Sequence, residues 1–279
     1  MALMNSDCAF FIGKDHKICQ DFAVAQNIKD TSYVIIADGC SSSPDTDIGA
    51  RFLAKAGESF IYQIQVGPDP LPSLERFHQQ TAHFASLGTK VLKLDQSCLD
   101  ATMLTIKAND QGFVATCYGD GVLALVRKDG RLEIHSVDFV EGYPLYISYT
   151  LDALRMKRFE NQKTNFKEVT RLMIPDMNNR VKVEHSHYTI EYHFGTADEY
   201  LFAAVLSDGV HTFAEMDPAD GDRVLRNVSM PEVVSLILAF KSTAGDFVHR
   251  RMQAFYKICA ARHWQHTDDL SVGVVYLGR

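Results

Sequence analysis

Several features that would direct a first reading are missing from this sequence. Its six cysteines (Cys8, Cys19, Cys40, Cys98, Cys117 and Cys259) form no Cys-x-x-Cys pair, which removes the spacing that zinc ribbons and thioredoxin-like centres need. Scattered in this way, they read as reduced thiols of a cytoplasmic protein. No run of about 18 uninterrupted apolar residues occurs, so no membrane span is expected. Met1 to Asp7 has no basic segment leading into an apolar stretch, so no secretory signal is expected either. Basic charge is also short: the formal net charge of -7 weighs against nucleic acid as a main partner, because backbone phosphates require a basic footprint. There is no Gly-rich phosphate loop and no dinucleotide fingerprint. Finally, no Pro/Gly/Ser-rich tract or charge run divides the 279 residues, so residues 1–279 are expected to form a single domain, and a monomer.

What is present is ordinary globular composition, 46% hydrophobic and 23% charged, arranged in legible patterns. Tyr33 to Ala37 is apolar on both faces, as a strand covered on both sides should be, and it ends at Asp38-Gly39. Leu201 to Leu206 repeats the pattern and stops at Ser207-Asp208-Gly209. A third run, Ser271 to Leu277, is preceded by Thr267-Asp268-Asp269. Met103 to Lys107 and Gly112 to Cys117 read as paired strands, with Val122 to Arg127 continuing the meander after the Gly119-Asp120-Gly121 turn. Helical spacing is found in Ile48 to Ile64 and in Pro70 to Leu92. It recurs from Pro231 to Ile258 with an interruption near Gly245. Tyr149 to Asn179 has little clean period, and a short helix is expected around Leu151 to Phe159. Strands at both ends and in the middle, with only a few long helices, argue for α+β layers over a regular βαβ repeat.

Two apolar strands each delivering an aspartate followed by glycine, and an acidic pair just before a third, place several carboxylates at one rim of a sheet core. Converging carboxylates repel, so such a cluster is stable mainly when cations neutralise it. All-oxygen ligation favours Mg2+ or Mn2+ over zinc or copper. Asp-Gly at a strand end is more often a plain turn, and any one of these sites alone reads so; three acidic sites in this order and context shift the balance.

The ordered set resembles the metal-dependent protein phosphatase family, the protein phosphatase 2C-like or PPM group, in its smaller bacterial branch. The resemblance rests on Gly13-Lys14-Asp15-His16 leading to Cys19-Gln20-Asp21, and on Ala37-Asp38-Gly39-Cys40-Ser41 with Asp47-Ile48-Gly49-Ala50. It continues through Asp100-Ala101-Thr102, Gly119-Asp120-Gly121, Ser207-Asp208-Gly209 and Asp268-Asp269-Leu270-Ser271. It implies a four-layer α-β-β-α sandwich and hydrolysis of phosphoserine or phosphothreonine in a phosphorylated protein, a bacterial signalling protein, by water activated between two Mn2+ or Mg2+ ions. By position, Asp38 looks like the bridging ligand, and the Gly39 carbonyl like a ligand of the second ion. Asp208 and Asp268 look like ligands of the first, and Asp21 like the acid near the second. Asp269 stands where many members have asparagine and is expected behind the ligands, with Gln20. Asp120 is read as structural.

The chain departs from the family at Cys40, where several members have a histidine that protonates the leaving alkoxide. His16 is then a candidate acid or phosphate ligand, a surface histidine being an equal reading. Lys14 is a candidate phosphate cation. Neither Asp95 nor Asp100 falls convincingly on the position that would complete a third metal site, so two ions are expected. His263, His266 and Asp268 imitate a zinc string but read better as a helix end. Asp217, Asp220 and Asp222 read as a solvated turn. Two other functions remain open: a phosphatase fold that binds phosphorylated partners without turnover, and a phosphoesterase acting on small metabolites.

Overall fold

The computed structural model describes residues 4–66, 74–139, 144–161, 167–174, 181–185, 189–194 and 199–278. In chain order these form β1 (Asn5–Phe11), β2 (Asp21–Ile28), β3 (Thr31–Gly39), α1 (Thr46–Val66), α2 (Leu74–Val91), β4 (Ala101–Asn109), β5 (Gly112–Tyr118), β6 (Gly121–Arg127) and β7 (Leu132–Phe139). There follow α3 (Ala153–Asn161), β8 (Lys167–Ile174), β9 (Val181–His185), β10 (Thr189–Phe194), β11 (Tyr200–Leu206), β12 (Phe213–Met216) and β13 (Val224–Asn227). The chain closes with α4 (Met230–Ile237), α5 (Phe247–Ala261), β14 (Trp264–His266) and β15 (Leu270–Tyr276).

Two antiparallel sheets make the centre. One has five strands in the order β10-β5-β4-β3-β2, the other seven in the order β1-β15-β11-β6-β7-β8-β9, and a small β13-β12-β14 sheet is appended. Alternation along each strand explains the layering. On β3, Ile35 packs toward Gly57 of α1 while Val34 and Ile36 meet Gly273 of β15, and Tyr33 to Ala37 are all fully buried. On β11, Ala203 and Val205 join the core shared with the five-stranded sheet, whereas Phe202, Ala204 and Leu206 pack with α4 and α5. The order is therefore α1/α2, sheet, sheet, α4/α5, the expected four-layer α+β sandwich.

The helices follow the expected spans, with Pro231 in the first turn of α4 and a break before α5 at Gly245, φ +56°. α3 occupies the expected short helix. The start of the second helical stretch, 70–73, lies outside the described residues, as does part of 149–179.

One connection differs from the sequence reading. β6 does not extend the β4-β5 meander; it lies in the other sheet beside β11. Gly119 (φ +96°) and Gly121 (φ +134°) turn the chain out of one sheet and into the other. A Cβ at Gly119 would fall 2.6 Å from the Thr102 side chain, so only glycine passes there.

His78, on α2, is 2% exposed, stacks edge-on against Tyr118 at 4.7 Å, and its Nε2 has no partner among the described residues. Burial pulls its imidazole down to about 3 from the ordinary 6.5. A lowered histidine contributes stability that is complete above the unfolded value and is lost as pH falls, because the unfolded chain then binds the proton first. Lowering pH from about 6.5 to about 5 is expected to cost about 2 kcal/mol through this residue. Denaturant titrations across that range should show the slope flatten in His78→Phe; an unchanged slope contradicts the assignment.

Candidate active site

The strand registers bring the acidic ends together. Asp21 opens β2 directly across from Asp38 at the end of β3, and Thr102 of β4 faces Asp38 from the other side. In the second sheet, Leu206 pairs with Val122 and with Val272. The residues just past β11 (Asp208), just before β6 (Asp120) and just before β15 (Asp268, Asp269) therefore emerge at one edge. Gly209 lies so close to this junction that a Cβ there would sit 1.8 Å from the Asp269 carbonyl oxygen.

At that edge is an open cleft of about 240 Å³, into which Asp38, Asp120, Asp208 and Asp268 all face. Gly39, Cys40 and Thr102 line it beside Asp38, and Ser41, Ser42, Pro144 and Tyr146 supply the rest. The acids are uncomfortable neighbours. Burial first, then the charges of Asp21, Asp208, Asp120 and Asp268, hold the Asp38 carboxyl well above the usual carboxylate range. Burial and Asp208 push Asp120 up to about 8, and the same two causes raise Asp268.

Asp21 is brought to Asp38 but does not line the cleft. It is 1% exposed, one oxygen accepts the Ser207 hydroxyl at 2.7 Å, and the other has no partner among the described residues. Burial lifts it to about 7 against the opposing bond from Ser207. Asp269, also buried, accepts the backbone N–H of Gly13 at 2.7 Å and of Gln20 at 2.6 Å. It thereby clamps the 13–20 loop from behind, and the Gln20 side chain donates to Thr46 at 2.7 Å.

The candidate cations are engaged elsewhere. Lys14 donates to Asp222 at 2.8 Å on the surface. His16 lies 2.9 Å from Asp269 and 3.5 Å from Asp268; burial alone would lower its imidazole, but the bond to Asp269 and the surrounding acids raise it. His266 spends its nitrogens on Tyr256 and the Asp268 carbonyl, and His263 is an exposed helix-end residue at φ +55°, so the zinc-like string is structural. Asp100 is buried against Arg155, and Asp95 caps a 3-10 turn.

Asp120, read from sequence as structural, is thus a cleft residue; its flanking glycines were the available signal, since they mark a sharp crossover. Tyr146 was missed, and its aromatic, patternless surroundings offered none. Among the described residues, no three His, Cys, Asp or Glu groups stand close enough to hold one metal ion as they are. The donor chemistry nevertheless fits a hard divalent cation: four carboxylates line one cleft beside Gly39, three of them, Asp38, Asp120 and Asp268, raised by burial and neighbouring charge, with an Asp21 oxygen that has no partner among the described residues behind them.

Comparison with known proteins identifies the family and the fold. The model of the family described as protein phosphatase 2C matches residues 13–211, ending before Asp268. No curated protein matches the chain significantly. Among solved structures, a bacterial serine phosphatase aligns at TM-score 0.55 and 10% identity, covering 98% of both chains. The serine/threonine phosphatase of S. agalactiae aligns at TM-score 0.50 and 15% identity, covering 98% of this chain and 99% of its own. PppA, a regulatory component of T6SS in Pseudomonas aeruginosa, aligns at 0.52 and 13%, covering 100% of this chain and 99% of its own. At such identities these structures speak to the fold, while the family model covers more than half of the sequence: the chain belongs to the protein phosphatase 2C family.

Proposed function

We propose that this protein is a metal-dependent serine/threonine protein phosphatase, acting as one catalytic domain on a phosphorylated bacterial signalling protein in the cytoplasm. The observation that carries the reading is that four carboxylates from four distant segments, Asp38, Asp120, Asp208 and Asp268, line one cleft, where burial and neighbouring charge raise the ionisation of Asp38, Asp120 and Asp268. Asp38, Asp208, Asp268 and the Gly39 carbonyl would hold two Mn2+ or Mg2+ ions, which when bound supply an acidified water and neutralise charge on the phosphoryl oxygens.

The remaining roles belong to the chain. Asp120, which faces the same cleft from the crossover between the sheets, would orient the attacking water there. Asp21, behind Asp38 and tied to Ser207, holds the two sheets in register at the site. Asp269 and His16 orient Asp268 and the 13–20 loop. Six free thiols, and no helix long and apolar enough to cross a membrane among the described residues, are compatible with that compartment.

The test combines turnover and stability. With Mn2+ the protein should hydrolyse a phosphoserine or phosphothreonine peptide and p-nitrophenyl phosphate, prefer the peptide to nucleotides, and stop on chelation. Mn2+ at about 100 times its Kd should stabilise the fold by about 2.7 kcal/mol, read by thermal denaturation. A protein that gains this stability and binds phosphopeptide without turnover would be a binding module; one that prefers nucleotides would be a different phosphoesterase.

A further inference from the structure

Among the described residues, the cleft that holds four carboxylates is lined by no Lys, Arg or His, and three cations of the surrounding segments are already paired. Lys14 is paired with Asp222, His16 with Asp268 and Asp269, and Arg155 with Asp100 through two bonds of 2.9 and 2.8 Å. A phosphate dianion arriving here needs donors beyond any metal ion, because its unpaired oxygens would face carboxylates. The donors in the lining are neutral: the hydroxyls of Ser41, Ser42, Thr102 and Tyr146.

Tyr146 stands out among them because the structure is built to hold it. Its ring packs edge-on against Tyr149 at 5.7 Å, Tyr149 lies under the Arg155 guanidinium at 4.5 Å, and Arg155 is locked on the buried Asp100. The Asp100 carbonyl in turn accepts the Cys40 N–H at 2.8 Å, and the Tyr146 hydroxyl faces the Cys40 side chain. A closed circuit therefore fixes the phenol over the segment that follows Asp38. Thr102 adds an independent sign of an unfilled partner: it is 2% exposed, lines the same cleft, and its hydroxyl has no partner among the described residues.

We propose that Tyr146 is the phosphoryl-binding residue of this enzyme, donating its phenolic O–H to a non-bridging oxygen of the phosphate, so that a neutral hydroxyl does the work that the lysine and histidine of the 13–20 loop suggested from sequence. Burial, then the Cys40 side chain that it faces and the nearby acids, push the phenol's ionisation up. This rests on the phosphatase reading above, and the test separates the two.

Wild type, Tyr146→Phe and Lys14→Ala, each loaded with Mn2+, are compared in steady-state hydrolysis of p-nitrophenyl phosphate and in calorimetric titration with inorganic phosphate. Loss of one hydrogen bond to a charged group should raise KM and the phosphate Kd of Tyr146→Phe by about tenfold, with kcat within about twofold and the Mn2+-induced stabilisation unchanged. Lys14→Ala should match wild type in both. If wild type turns over and binds phosphate while Tyr146→Phe equals it in both constants, or if the loss falls on Lys14→Ala, the inference is overturned. A wild type without turnover defeats the phosphatase reading, yet the phosphate titration still decides the role of Tyr146.

Discussion

Asp38→Asn is expected to lower Mn2+-dependent hydrolysis of a phosphopeptide by about a thousandfold, while leaving the metal-free protein as stable as wild type or more so. The activity loss follows from removing the acid that the strand registers place at the centre of the cleft, with Asp21 and Thr102 on either side and Asp120, Asp208 and Asp268 around it. Metal-assisted stabilisation of transition-state charge is worth several kcal/mol, and about 4 kcal/mol is three powers of ten. The stability result follows from electrostatics. Burial and four neighbouring acids disfavour the Asp38 carboxylate, so an uncharged isostere relieves repulsion. A carboxyl raised in the folded state contributes stability that is full at low pH and fades as pH rises through its folded value. For Asp21 at about 7 and Asp120 at about 8, this loss begins near the ordinary value of 3.8 and continues through neutrality. The metal-free wild type should therefore melt lower at about pH 8.5 than at about pH 6.5, and Asp38→Asn should reduce the difference. Circular dichroism melts with and without Mn2+, beside initial rates, read all three. An active Asp38→Asn, or one that retains the full Mn2+-induced shift, contradicts the proposed centre.

Asp100→Ala is expected to destabilise the fold by about 3 kcal/mol, the low end of the cost of breaking a buried ion pair, because the carboxylate is buried while the Arg155 guanidinium left behind is part-exposed. Asp100 is 2% exposed. It holds Arg155 bidentately at 2.9 and 2.8 Å, and accepts the hydroxyls of Ser43 at 2.8 Å and of Ser148. Three segments, 43, 148 and 155, thus meet on one carboxylate. Removing it strands a guanidinium and two hydroxyls together. In a chain of this size the melting temperature should fall by about 10 °C. Arg155→Ala should be strongly destabilising too, and the double variant should be far from additive because both substitutions break one network. A fall of less than about 2 °C for Asp100→Ala, or full additivity, would mean that the carboxylate is no such hub.

Much of the fold can be read locally because covering a strand on both faces requires apolar residues at every position. Tyr33 to Ala37 meet that condition and are fully buried between helix and sheet. Helical spacing likewise located α1, α2 and the broken α4–α5 pair, since each needs only its own apolar stripe. The acidic residues at the strand ends, Asp-Gly after two strands and Asp268-Asp269 before a third, also brought Asp38, Asp208 and Asp268 to a common cleft.

Sequence by itself determined where the central strands β3, β4, β5, β6, β11 and β15 and the longer helices lie, that the acids of these strands end at one rim, and which family the ordered motifs resemble. Tertiary structure alone decided that β6 crosses to the other sheet, that Asp120 enters the cleft while Asp21 is buried behind it, that Lys14 is paired with Asp222 on the surface, and that His16 is held between Asp268 and Asp269. Periodicity reports only which face of an element is apolar; which side chains meet across the sandwich depends on registers between segments far apart in the chain, such as Ser207 with Asp21 or Asp269 with Gly13.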